Sequence, residues 1–302
     1  MLCLKGCYGV STVIILLITC VALAPAAEPE KQYEAFDSSN FSRSSTVNNE
    51  WFPLKPGMRY VFEGSTIDEG EKEDHRVVFT VTDLTKVIDG ISTVVCWDQD
   101  YADGELVEAE ICFFAQDDKG NVWLMGEYPE EYEDGEFVAA PCWIHGALDG
   151  KAGIIMRGDP KRGTPSYSQG WAPSVEFSDR GVVYQVNQKT NVAAGTYDNV
   201  LVIDEFNDEE PNAHQLKFYG RGVGCIRIGW RGEVTDQEDL QLLKVEELGA
   251  EEMAKAREES LKLEERAYEI SKDVYSKTRP SEYLGSKEAA DTKPDATTSL
   301  GE

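Results

Sequence analysis

Three histidines, seven cysteines and fifty-six carboxylates are the side chains through which this 302-residue chain could do chemistry. His75, His145 and His214 fall in three separate segments. A histidine that activates a serine or cysteine needs a third group to orient it, and no G-x-S-x-G turn is present. His145 in "PCWIHGALDG" lies close to Cys142 and Trp143 and reads as structural. Paired carboxylates across a cleft would support acid–base hydrolysis, but the acids are too abundant for spacing to single out a pair. "DQDYADGE" (98–105) places Asp98 and Asp100 at the first and third positions of a calcium loop. Its fifth position is Ala102 and its glycine comes one place late, so the match fails. "GRGVG" (220–224) precedes a strand and lacks the Lys-Ser/Thr ending of a phosphate loop. No catalytic residue, metal ligand or cofactor is assigned.

The elements that must position any site are β-strands. From residue 51 to about 245 the chain runs as short β-like segments separated by turn clusters. "MRYVFEG", "DHRVVFTVTD", "STVVCWDQD", "ELVEAEICFFAQD", "NVWLMGE", "RGVVYQVNQKT", "NVLVIDEF", "AHQLKFYG", "VGCIRIGWRG" and "LQLLKVEEL" are the strand candidates. In "RVVFTVT", Val77, Phe79 and Val81 share one face and Val78, Thr80 and Thr82 the other. Asp-Gly pairs at 89–90, 103–104 and 134–135 are hairpin turns. No long helical pattern interrupts the strands, so the fold class is mainly β: an antiparallel curved sheet, open barrel or sandwich, with a C-terminal α-helix.

Compartment follows from the N-terminus. Lys5, the apolar run Val10–Ala24 and the small residues Ala24-Pro25-Ala26 form a signal peptide over residues 1–26. A lipoprotein signal ending at Cys20 is the second reading, and an uncleaved anchor the third. The expected location is exported, periplasmic or extracellular, with lipid anchoring through Cys20 as the variant. Residues 27–50 read as a polar linker, 246–279 as a helix and 280–302 as a disordered tail. The helix carries an apolar stripe, Met253, Ala256, Ser260, Leu263, Ala267, Ile270 and Val274, weak enough that the β-domain is expected to fold without it. The net charge of −27, from 56 acids against 29 bases, disfavours nucleic acid and anionic lipid. Membrane contact is therefore expected only through the N-terminal segment.

Cys3, Cys7 and Cys20 belong to the signal, which leaves Cys96, Cys112, Cys142 and Cys225 for an oxidising compartment. A two-residue turn at 103–104 pairs Cys96 with Ile111, and one extra residue brings it opposite Cys112, making Cys96–Cys112 the expected disulfide. Cys142 with Cys225 is then the remaining pair. Aromatics are the other signal. Core packing accounts for most of them, and Trp51, Tyr60, Trp123 and Trp143 are the candidates for lining a ligand cavity on one face of the sheet.

"WFPLKPGMRYVFEG", "VTDLTKVIDGI", "YADGELVEAEICFFAQDDKGNVWLMGE", "AAGTYDNVLV" and "FYGRGVG" occur in that order. Together they resemble a group of exported bacterial proteins without an assigned activity, often secreted or lipid-anchored. The resemblance covers residues 51–245 and implies no catalytic residues; Cys112 and Cys225 stand where that group has other residues. At fold level it is similar to the antiparallel half-barrels of lipoprotein carriers. In "WFPLKPG", the two prolines stiffen an entry segment whose first role is structural, with a pocket mouth as the lesser reading. The function expected is a non-catalytic envelope β-protein that binds an apolar or small ligand or an envelope protein. The alternatives are a secreted hydrolase using paired carboxylates and an acidic cation-binding protein.

The mature chain is expected to start near Ala27. Intact-mass measurement of the exported protein checks this: a retained Met1 on soluble protein overturns it, and a diacylated Cys20 selects the lipoprotein reading.

Overall fold

The computed structural model describes residues 31–68, 70–207, 212–233 and 237–284, so the signal segment 1–26 and most of the tail lie outside the described residues. Five long strands come first: β1 (Met58–Asp68), β2 (Glu71–Ile88), β3 (Ile91–Ala102), β4 (Glu105–Gln116) and β5 (Val122–Glu133). Five short ones follow: β6 (Glu136–Ala139), β7 (Trp143–Ile144), β8 (Lys151–Met156), β9 (Tyr167–Ser168) and β10 (Gly170–Trp171). Then come β11 (Arg180–Val192), β12 (Gly195–Phe206), β13 (Ala213–Gly220), β14 (Gly224–Gly232) and β15 (Asp239–Glu247). Helices α1 (Ala250–Ile270) and α2 (Lys272–Tyr275) and a last strand, β16 (Glu282–Tyr283), complete the described chain.

Every strand candidate from the sequence is present, in one antiparallel sheet. Its order is β10-β8-β5-β4-β3-β2-β1-β15-β14-β13-β12-β11-β9, with β6 and β7 on β5 and β16 on β2. The three Asp-Gly turns place both central residues at positive φ, from 46° at Asp89 to 88° at Gly104, which suits the right-handed twist of the flanking strands.

The sheet is open, yet its two ends meet at one place. β9 closes one end on β11 and β10 closes the other on β8, and only Gln169 separates them. The approach is so close that a Cβ on Gly153 would sit 2.2 Å from the backbone between Gln169 and Gly170. Only glycine fits there.

This curl gives the sheet two different faces. The inner face gathers side chains from both ends into one core: Phe62, Cys112 and Phe114 meet Leu201, Ile203 and Tyr219. The outer face of β2–β5 is also buried, under α1 and α2, with Ile111, Phe113, Met125 and Tyr128 against Ala256, Leu263, Ala267 and Tyr275. So Thr80 and Thr82, opposite the apolar row Val77-Phe79-Val81, are buried rather than solvated.

The helix is anchored by charge as well as by apolar packing. Lys86 is wholly buried; its Nζ donates to Glu264 Oε1 at 2.6 Å and to the Arg279 carbonyl at 2.8 Å, and lies 4.4 Å from the Tyr275 ring centre. Arg266 pairs with the buried Glu130 at 2.6 Å, and Arg257 with Asp83. Of the apolar stripe read from the sequence, Ala256, Ser260, Leu263 and Ala267 are buried, whereas Ile270 is exposed.

Three expectations change. All four described cysteines are free thiols. Cys96 does stand opposite Cys112, through a register shift at Asp100/Tyr101, but Cys112 Sγ is turned toward the Cys96 carbonyl, 3.9 Å away, and no bond joins the sulfurs. Cys142 belongs to the outer core and Cys225 packs on the inner one, so the sheet itself separates them. The stretch read as a linker is ordered from residue 31. Phe36 and Phe41 pack on Trp123, Val47 enters the inner core, and the Asn49 amide bonds two backbone carbonyls. Its polar residues hide the few apolar ones that dock it. The tail contributes β16 before the described residues end.

The third change concerns the helix. Deleting residues 249–302 uncovers the outer face of β2–β5, where each fully buried apolar side chain contributes about 1.5–3 kcal/mol. The truncated chain is expected to aggregate or to lose its cooperative thermal transition. A soluble truncation with an unchanged melting curve overturns this.

Candidate functional site

The inner face holds a cavity of about 260 Å³, just below the usual range for ligand pockets, about 300–1,000 Å³. Aromatic rings form part of its wall. Phe62 and Tyr60 come from β1, Phe79 from β2, Phe114 from β4 and Tyr219 from β13. Phe52, Pro53 and Leu54 line it too, so part of the entry segment belongs to the cavity wall.

The polar part of the wall is acidic. Asp98, Glu110, Glu127, Asp179 and Glu205 line it, against the single ammonium of Lys217. Asp98 on β3 pairs across the ladder with Glu110 on β4, and Glu110 and Glu127 hydrogen-bond to each other. The Trp143 indole N–H donates to Glu127 Oε1 at 2.8 Å. On β12 and β13, Lys217 Nζ lies 2.8 Å from Glu205 Oε2, and the Gln169 amide donates to Glu205 Oε1 at 2.7 Å. The residue that joins the ends of the sheet is thus wired to the cavity.

Beside this row, His75 lies between Asp100 and Glu238, with its Nδ1 3.2 Å from Glu238 Oε1. Gln215 donates to the other Glu238 oxygen at 2.7 Å. Of the failed calcium match, Asp98 is therefore part of the cavity's acidic wall, and Asp100 stands behind it beside His75. Among the described residues, no group of three or more His, Cys, Asp or Glu is placed to hold a metal ion.

Burial sets the protonation of this wall. It raises Asp98 to about 7, with neighbouring Asp100 adding to the effect. It raises Glu110 well above the ordinary carboxyl range, with Glu127 as the next cause. Glu127 is raised by burial against the opposing hydrogen bond from Trp143, and Glu108 by burial and then by Asp98. Burial works against the charge of Lys217, but Glu205 outweighs it and raises the ammonium. A carboxyl that keeps its proton in a dry wall can donate as well as accept a hydrogen bond. Burial also pulls His75 down, but Asp100 and Glu238 outweigh it and raise the imidazole.

The four aromatic candidates from the sequence divide. Tyr60 lines the cavity. Trp143 stands behind Glu127, stacked on the lining residue Phe177 with ring centres 5.0 Å apart. Trp51 is in the inner core with Arg221 over its ring at 4.7 Å, away from the cavity wall. Trp123 faces the outer core and donates to Asp117 Oδ2 at 3.0 Å. His145 and His214 stand apart from the cavity: His145 accepts from the Ala152 N–H at 3.0 Å and packs on Phe36, and His214 pairs with Asp204 at 2.8 Å.

Sequence reasoning missed Asp98, Glu110 and Glu127. A usable signal existed for two of them. Strand period puts Asp98 on the face of Cys96, and Glu110 on the face of Cys112 and Phe114, so each is an acid on an apolar face.

The sign of the pH dependence follows from the raised carboxyls. Asp98 and Glu110 have ordinary values of 3.8 and 4.5, and the folded chain holds their protons to higher pH. Between about pH 4 and about pH 7 the folded state binds more protons than the unfolded one, so stability falls as pH rises. His75, raised from 6.5, acts in the same direction. The thermal midpoint is expected to be higher at about pH 5 than at about pH 8, and Asp98→Asn should flatten the slope. A midpoint that rises over this interval overturns the assignment.

No family model matches the chain, and no curated protein does. Among solved structures, it is similar to a protein described as exported, with a YmcC-like fold, from Bacteroides fragilis. The TM-score is 0.38 at 12% identity, covering 66% of this chain and 100% of that one. A second, described as a lipoprotein, from Parabacteroides distasonis, gives a TM-score of 0.37 at 13% identity, covering 66% of this chain and 100% of that one. Likeness at this level assigns no function.

Proposed function

We propose that the chain is an exported, non-catalytic β-protein whose inner cavity binds a small ligand. The observation that carries this is the cavity itself. The inner face leaves about 260 Å³ open beside a polar row. Apolar walls supply affinity without direction, and a few placed polar groups fix orientation. Export is supported by the N-terminal segment, by the positively charged Lys5 ahead of an apolar run and by small residues at the cleavage position. No helix among the described residues is long and apolar enough to cross a membrane. A protein partner in the envelope is the remaining form of the binding reading.

A hydrolase reading draws on the raised carboxyls, since perturbed titration clusters at functional sites. Glycoside hydrolysis needs two carboxyls separated by at least about 5 Å across a bond. Glu110 and Glu127 instead touch each other on one wall, which favours holding a ligand over cleaving one.

A polarity-sensitive dye is expected to bind the full-length protein with one site, and native mass spectrometry of the purified protein is expected to show a co-purifying ligand that displaces it. Ile228 lines the cavity, and Ile228→Trp should abolish dye binding while leaving the melting curve cooperative. Unchanged binding in that variant removes the cavity from the reading. Turnover of a chromogenic glycoside that Glu110→Gln abolishes would establish the hydrolase instead.

A further inference from the structure

We propose that the cavity takes an organic cation: an ammonium or quaternary ammonium group carried on an apolar body. This rests on the reading of the cavity as a ligand site. Two independent features of the wall converge on it.

The first is the excess of acidic over basic groups, whatever share of the acids holds a proton. Asp98, Glu110, Glu127, Asp179 and Glu205 face the cavity, and the only cation among the lining residues, Lys217, is already paired with Glu205 at 2.8 Å. Asp100, Glu108 and Glu238 extend the same acidic region behind the wall, where both His75 and Lys217 act on Glu238. An anionic ligand would find no cation in the wall that is not already paired. A neutral apolar ligand would use none of the acidic wall.

The second is the aromatic wall. Phe52, Phe62, Phe79, Phe114, Tyr60 and Tyr219 line the same space. The negative face of an aromatic ring attracts a soft cation, and such walls hold quaternary ammonium groups. A metal ion needs converging oxygen or nitrogen ligands, which no described cluster supplies. An organic cation is served by aromatic rings and by carboxyls it can ionise, and both line this cavity.

The protons of the wall then become part of the binding event. Burial opposes ionisation of Asp98, Glu110 and Glu127. A bound cation favours their charged forms and displaces protons. The groups that set this balance are Asp100 on β3, Glu108 on β4, Trp143 on β7, Lys217 on β13, and Asp179 and Glu238 from the loops. Affinity for a cation with no titration of its own should therefore rise with pH.

Octyltrimethylammonium, octanol and octanoate, which share one tail, test this on the full chain at about pH 6 and about pH 8.5. By calorimetry, the ammonium is expected to bind about tenfold or more tighter than octanol, with octanoate weakest. Ammonium affinity should rise between the two pH values while octanol affinity stays level. Asp98→Asn combined with Glu127→Gln should erase the preference for the ammonium over octanol. If octanol binds as tightly as the ammonium, or octanoate binds more tightly, the cation assignment fails and the cavity reading stands. If none of the three binds, the cavity reading fails and takes this inference with it.

Discussion

The peptide between Gln169 and Gly170 lies over Gly153 at a distance that admits no side chain, and the rest of the molecule depends on that contact. A sixteen-stranded antiparallel sheet has two edges to satisfy. Here each edge ends in a two-residue strand, and the two strands are nearly continuous in sequence. The chain thus pins the sheet into a curl without a full closing ladder. The curl is what lets residues from β4 and from β12 face the same interior. Gln169 belongs both to the closure and to the cavity, through its bond to Glu205. Geometry at the seam and chemistry of the wall are therefore linked through one side chain.

Curling makes the two faces unequal, and the C-terminal helix answers that inequality. The two arms of the sheet cover most of the inner face between them, apart from the cavity. The outer face of β2–β5 is covered by α1 instead. Lys86 shows the cost and its compensation. Burial pulls its ammonium down, and Glu264 opposes that effect. Removing one partner of such a pair leaves an uncompensated buried charge, which destabilises far more than the intact pair stabilises. The pair fixes where the helix sits more than it adds to stability. The aromatic rings of Phe113, Tyr268 and Tyr275 around Nζ leave it one place to go.

Much of the acid excess is solvated surface. Part of it is not. The row from Asp98 through Glu110 to Glu127 stays in a dry wall by keeping protons, so those groups contribute less charge to the folded protein than the sequence count of 56 acids implies. A wall of this kind is costly to bury and easily shifted by an incoming charge.

Strand alternation, Asp-Gly turns and helical charge patterning are local properties, and the amino-acid sequence by itself determined them. The ten main strands, the three hairpin turns and the C-terminal helix were legible, because period and turn chemistry act over a few residues, whereas the register that sets Cys96 opposite Cys112 depended on a bulge at Asp100/Tyr101. The short strands β6–β10 and β16 were not, since two to six residues carry too little pattern. Nor was the docking of residues 31–50, which rests on isolated side chains such as Phe36, Phe41 and Val47 meeting distant strands. Glu127 shows the limit most clearly. Strict alternation along β5 puts Leu124 on the inner face and Glu127 on the outer face with Met125. Gly126 adopts φ of 146°, and a Cβ there would lie 2.6 Å from the Trp143 carbonyl. The pairing with β4 slips at that point, and Glu127 turns inward beside Glu110. Sequence fixes which residues alternate; a bulge that depends on a strand arriving from elsewhere decides which face they reach, and so which acids line the cavity.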